Sequence, residues 1–544
     1  MSTSNEIEKA AEGAGEAAAS EDKDQTPEGA SATEGRRGFL KSMGVGAGAA
    51  AVGAMGTTAM VAGGALVASS EAKAATKYIK FEQVFNQLGK YIMLVPGKFT
   101  GTVAAIDLYT GKTLAWTAFW NYGDTSPIIH HMAAFPAPDP YKEFEFIVNS
   151  QGGKNLFIYG IPTTVKNPGE GFRIYRVKYD GTKLNVVSDV AEKTGMGLGV
   201  HVTSAPDAKS FSVGDGQKDI FAVFDRETEA VKSAWYFDWI PNNTKELAKA
   251  WTEGGKLVIK RLKPTLPNGM YDYKGTKGIK IDWELVPGGE LFAEQGKVTG
   301  KRVANTCGLD AFVWDPRGKW AAASLRLQGL SIVFDVENWV PVAALPGAKG
   351  VPDQVPLKKI NDDTWEVVMD QVVTPAHQAG FSPDGKHFLF MNGVRQNNIM
   401  VWDTNNHADP STWKKKAVVE HPDWRGAYPN TFHMVFTPDA KKIYVTLWWP
   451  SPTPNGVAVI DAVNWKVLKQ IDLGPDMHTI AVTYDGKFVV GVMSGYQKTV
   501  TSIPVISTED DELLGFFPST GGHHDNVIVP RTVQDLRVSR STTT

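Results

Sequence analysis

The chain of 544 residues contains a single cysteine, Cys307. An internal disulfide is therefore excluded, as are Cys-rich zinc, iron–sulfur and binuclear cupredoxin sites, all of which need several thiolates. Cys307 reads as a small buried side chain; it stands three residues before Asp310, near enough to support that residue. An excess of one charge is lacking too. There are 56 basic against 59 acidic residues, a formal net charge of −3, and no basic cluster carries interleaved aromatics. That balance argues against nucleic acid as a partner. Past residue 100 there is neither a heptad pattern nor a long amphipathic helical period, so the architecture is not a helical bundle.

Residues 1–35 are rich in Ala, Glu, Ser, Gly and Thr and almost devoid of large apolar side chains. Such a segment cannot bury enough surface to offset its ordering entropy, and disorder is expected. Arg36-Arg37-Gly38-Phe39-Leu40-Lys41 then precedes a Gly/Ala-rich apolar run from Val45 to Val67 and an A-x-A site at Ala72-Lys73-Ala74. Residues 36–74 read as a twin-arginine export signal, cleaved after Ala74, in preference to a membrane anchor, since the run is only moderately apolar. The mature chain, 75–544, is expected in the periplasm without stable membrane insertion. Export by this route carries folded proteins, often with a metal already installed.

What the mature chain does contain is repetition. An apolar, β-rich stretch ending in Asp and a turn recurs as VAAIDLYTGK, FAVFDRETEA, SIVFDVENWV, IMVWDTNNHA and VAVIDAVNWK, with Asp107, Asp225, Asp335, Asp403 and Asp461 at the common place. Short runs of Val, Ile, Phe, Tyr and Trp bounded by D-G, N-G and P-D turns predict antiparallel strands. HQAGFSPDGKHFLFMNG followed by NNIMVWDTNN and KKKAVVE is the clearest unit of four strands. About seven such units predict an all-β fold, a seven-bladed β-propeller forming one domain.

A second repeat carries the chemistry. His377 in HQAGFSPDGK, His433 in HMVFTPDAKK, His478 in HTIAVTYDGK and His201 in HVTSAPDAKS each stand six or seven residues before the Asp of a turn. His131 in HHMAAFPAPDP opens a related segment, Asp310 in DAFVWDPRGK holds the same phase, and His523-His524 follow one interval later. Counted from His131 to His524, the intervals are 70, 109, 67, 56, 45 and 46 residues. The last two match a propeller blade and the longer ones require insertions. In this reading the key residue precedes the first, innermost strand of each blade. The repeat then gathers these side chains into a ring around one axial cavity. Imidazoles with one carboxylate and no thiolate favour copper, and the number of donors implies more than one ion. The metal ligands expected are His130, His131, His201, Asp310, His377, His433, His478 and one of His523 and His524, with His524 keeping the interval better. His387, His407 and His421 are out of phase and read as structural or surface residues.

These residues resemble two related periplasmic copper-propeller families. Nitrous oxide reductase opens its ligand set with an H-H pair, as in Ile128-Ile129-His130-His131-Met132, but adds a cupredoxin domain with a binuclear copper centre, which is not expected in a sequence with one cysteine. The chain is more similar to thiocyanate dehydrogenase, a family with the propeller alone. HH at 130–131, HVTSAPDAK, LDAFVWD, HQAGFSPDGK, NTFHMVFTPDAK, DMHTIAV and GGHHDN carry the resemblance, together with VPGKFTG and IDWELVP, over about residues 77–530. It implies three copper ions, oxidation of thiocyanate to cyanate and sulfur, and assisting roles for Lys98 and Glu284. The family setting also implies an external electron acceptor, a c-type cytochrome; a homodimer is left open. The competing expectations are a cluster reductase of the nitrous oxide type and a non-enzymatic interaction scaffold.

Overall fold

The computed structural model describes residues 87–97, 100–119, 128–151, 173–190, 199–215, 219–243, 253–263, 307–371, 376–392, 398–424, 431–447, 456–473, 477–493, 502–518 and 525–539. All belong to one compact unit, Met60–Thr544. The N-terminal segment at 1–35, the export signal at 36–74, and Lys98, Glu284, His523 and His524 lie outside the described residues.

The described strands form six four-stranded sheets and one of seven strands. The repeat unit read from the sequence is Ala376–Phe381, His387–Asn392, Asn398–Asp403 and Lys414–Val419, an antiparallel meander in that order. Its third strand, of β-branched and large apolar residues, is buried along nearly its whole length, whereas the outer strand carries lysines and is partly exposed. The first strands of the sheets pack beside one another in chain order. The ring closes through Val527–Ile528, which packs against Met477–Val482 and Ile128–Ala134 and pairs with Ile92–Gly97 of the N-terminal sheet. The fold is an all-β propeller.

The expectation of seven blades built alike needs correction. Six sheets keep the four-stranded unit; the sheet that begins at Gly199–Ser204 grows to seven strands, as Gly255–Arg261, Thr364–Met369 and Leu357–Asn361 add to its outer edge. The cause lies in Val231–Pro241, an eleven-residue strand whose Trp235, Phe237 and Trp239 all require cover. Trp365, Val367 and Met369 of the added strands pack into the same cluster, and full burial of such side chains is worth about 1.5–3 kcal/mol each.

Hydrophobic cores fill the spaces between successive sheets. Phe381, Phe388 and Trp402 of one sheet, for example, meet Ala311, Val313 and Ala322 of the sheet before it. Both Asp repeats prove to be turn devices. Asp461 accepts from the backbone N–H groups of Val463 and Asn464 at 2.8 and 3.0 Å, and Asp225 from those of Glu227 and Thr228 at 3.1 and 2.9 Å. Asp384, Asp439 and Asp485 each accept from a Ser or Thr hydroxyl two residues back at 2.6 Å. The Gly/Ala place of these turns is left-handed: Gly385 and Gly486 have φ of 70° and 73°, and Ala208 and Ala440 hold the same conformation at 60° and 58°, where a Cβ is unfavourable.

A buried ion pair joins two sheets. Glu145 accepts from Arg176 of its own sheet at 2.9 and 3.2 Å and from Arg226 of the next at 3.2 Å. Burial pushes the Glu145 carboxyl up, but the two guanidinium groups more than offset it and hold it below the usual range. A depressed carboxyl pKa contributes stability that is present above the unfolded-state value, near 4.3, and is lost as pH falls through the folded value. Glu145→Gln should therefore lower the urea midpoint at pH 7 and flatten its decline toward pH 3. An unchanged pH dependence in the variant would remove Glu145 from the acid lability of the fold.

Candidate metal centre

The residues in repeated phase do not precede the inner strands, as expected, but lie within them. His130 and His131 belong to Ile128–Ala134, His201 to Gly199–Ser204, Asp310 to Leu309–Trp314, His377 to Ala376–Phe381, His433 to Thr431–Phe436 and His478 to Met477–Val482. In all six strands the ladder to the second strand slips by one residue at that point. Each is a β-bulge, in which two consecutive residues oppose one and a side chain is re-aimed. His130, Asp310, His377 and His478 are first residues of a bulge; His131, His201 and His433 are second residues. This difference is the reason the sequence shows both six- and seven-residue offsets to the turn Asp. The residue opposite a bulge can secure it: the His131 N–H donates to Asn149 Oδ1 at 2.7 Å, and the His433 N–H to Thr446 Oγ1 at 2.9 Å.

The bulges bring side chains from five sheets together. The rings of His131 and His201 stack with centroids 3.8 Å apart, and His130 stands edge-on to His131 at 4.3 Å. His433 lies 6.1 Å from His131, 6.4 Å from His201 and 4.9 Å from His478. His131, His433 and His478 are fully buried, and His130, His201 and Asp310 nearly so. Asp310 Oδ1 sits 3.3 Å from His201 Nε2, and its Oδ2 accepts from Arg326 Nη1 at 3.3 Å. Burial pushes the Asp310 carboxyl up, while Arg326 and then His201 bring it below its ordinary value.

Two of these groups escaped the sequence reading. Arg326 is buried beside Asp310 and stands sixteen residues after it. Asp525 lies 3.5 Å from His131 Nδ1 and accepts from the Met132 N–H at 2.8 Å. Its position directly after His523-His524 was the available signal.

Of the other sequence candidates, His377 is placed in its strand, but its side chain is outside the description. His407, read as structural or surface, is buried and binds the carboxylate of Asp315 in the neighbouring sheet, so its role is structural. His387 packs edge-on against Trp465 at 4.9 Å, and His421 lies beside Asp423 and Gln470. None of these three joins the cluster. Cys307 is buried, and burial pushes its thiol well up; a neutral thiol is a poor ligand.

The donor chemistry, five imidazoles and one carboxylate without thiolate, fits copper. Among the described residues no group of three or more His, Cys, Asp or Glu side chains is arranged to hold an ion as it stands. The stacked pair of His131 and His201 does not aim two nitrogens at one point. Ring torsions of histidine are broad, so ligation asks for ring rotation within a fixed backbone.

No family model and no curated protein matches the chain. Among solved structures, a protein described as a 6-phosphogluconolactonase from Bacteroides uniformis is 11% identical, with a TM-score of 0.49, over 81% of this chain and 99% of its own. The Pseudomonas aeruginosa periplasmic gluconolactonase PpgL is 13% identical, with a TM-score of 0.45 over 81% and 99% of the two chains. Dihydro-heme d1 dehydrogenase NirN is 14% identical, with a TM-score of 0.43 over 82% and 76%. The fold rests on the sheets themselves, not on these likenesses.

Proposed function

We propose that the buried histidine–Asp310 cluster is a multinuclear copper centre and that the chain, exported to the periplasm, oxidises thiocyanate. The observation that supports this best is the meeting of five imidazoles and one carboxylate from five sheets at a repeated β-bulge. His130, His131, His201, His433, His478 and Asp310 would hold the metal, with His377 and His524 completing the set that the resemblance implies. Bound copper would supply one-electron redox chemistry and lower the pKa of water.

The chain's own residues account for the rest. Arg326 fixes the Asp310 carboxylate, and Asp525 beside His131 Nδ1 leaves Nε2 as the ligating atom. Burial of the cluster keeps the local dielectric low, which strengthens each charge interaction. In this reading Glu284 takes a proton from water and Lys98 holds the anion. Thiocyanate and water give cyanate and sulfur: a C–O bond forms, the C–S bond breaks, and two protons and two electrons leave. The electrons pass to an external one-electron carrier of the c-type cytochrome class.

Copper-loaded chain incubated with thiocyanate and excess oxidised cytochrome c or dye should form one cyanate and two reduced equivalents per thiocyanate consumed. Absence of cyanate, with turnover of nitrous oxide to dinitrogen by the reduced chain, would put the reductase in its place.

A further inference from the structure

The second residue of the bulge is histidine in three inner strands, at His131, His201 and His433. In Ala376–Phe381 the same place is held by Gln378. Gln378 is fully buried, and its side-chain nitrogen lies 3.4 Å from His433 Nε2. Its side-chain oxygen has no hydrogen-bond partner among the described residues. Whichever way the amide is turned, one polar atom meets His433 and the other is left over. A buried amide in that state is unfavourable and calls for a ligand or water.

We propose that Gln378 is an anion-positioning residue of the site: with the amide turned so that its oxygen accepts from His433 Nε2–H, its N–H donates to the bound small anion. This rests on the copper-centre reading above. An amide is neutral, so its N–H can donate to the anion whatever charge Asp310 and Asp525 bring to this part of the molecule, beside the cationic hold given above to Lys98. It is also a weaker ligand for copper than imidazole, so the position does not extend the ligand ring.

The test uses copper-loaded mature chain with Gln378→Met, which keeps volume and removes the donor, and Gln378→Asn, which restores an amide. Copper content is measured first. Binding of azide and of thiocyanate is then titrated through the Cu(II) visible absorption, and KM and kcat for thiocyanate are determined. Gln378→Met should keep its copper and bind both anions roughly 10- to 100-fold more weakly, the usual worth of a hydrogen bond to a charged group. KM should rise with it more than kcat falls, and Gln378→Asn should recover part of the loss. Anion binding within about twofold of wild type, or loss of copper from Gln378→Met, would overturn the assignment. Because azide binding needs no turnover, that result is independent of whether thiocyanate is oxidised. Wild-type chain that takes up no copper would overturn the site reading and this one together.

Discussion

After loading with copper and dialysis, His433→Ala should retain fewer copper ions per chain than the wild type, which should retain more than one. His433 is the centre of the described cluster, within 6.4 Å of His131 and His201 and 4.9 Å of His478 by ring centroid. It is fully buried, so no water-exposed donor replaces the lost imidazole. Removing partners that merely support a ligand costs about 10- to 100-fold in metal affinity, and loss of a ligand should cost more. His421→Ala is the control: that ring sits half-buried beside Asp423 and Gln470, away from the cluster. Elemental analysis of both variants decides the matter. Equal copper in His433→Ala and wild type, or a wild-type content of one or none, would sink the multinuclear centre.

Arg326→Leu should destabilise the metal-free chain by about 3–5 kcal/mol, the cost of leaving one member of a buried ion pair without the other. Asp310 and Arg326 are both buried, and the guanidinium is the carboxylate's cationic partner at 3.3 Å. The double variant Arg326→Leu with Asp310→Asn should regain most of that loss, since the amide carries no charge to bury. Urea midpoints of the wild type, the two single variants and the double variant measure the coupling between the residues. A coupling near zero would mean that the pair contributes little and that Asp310 is held by its strand alone.

Much of the fold and part of the site can be read along the chain. Strand, turn and strand recur because Asp384, Asp439 and Asp461 build their turns from atoms two and three residues away. Such local chemistry leaves a local pattern, and the same pattern kept His201, His433 and His478 in register with Asp310. The sequence by itself therefore determined that these side chains share one place in a repeated β unit. It did not show the bulge, because a bulge is defined by the facing strand: only pairing with Asn149 or Thr446 reveals that two residues oppose one. For the same reason Gln378 looked like an ordinary strand residue next to His377. Nor could the chain show that Trp365 and Met369 extend one sheet while packing into the core it shares with the next. The contacts of His407 with Asp315 and of Asp525 with His131 join residues 92 and 394 positions apart. They exist only once the sheets are packed around the axis, since a charge placed in the interior is stable there only if a distant element delivers its partner.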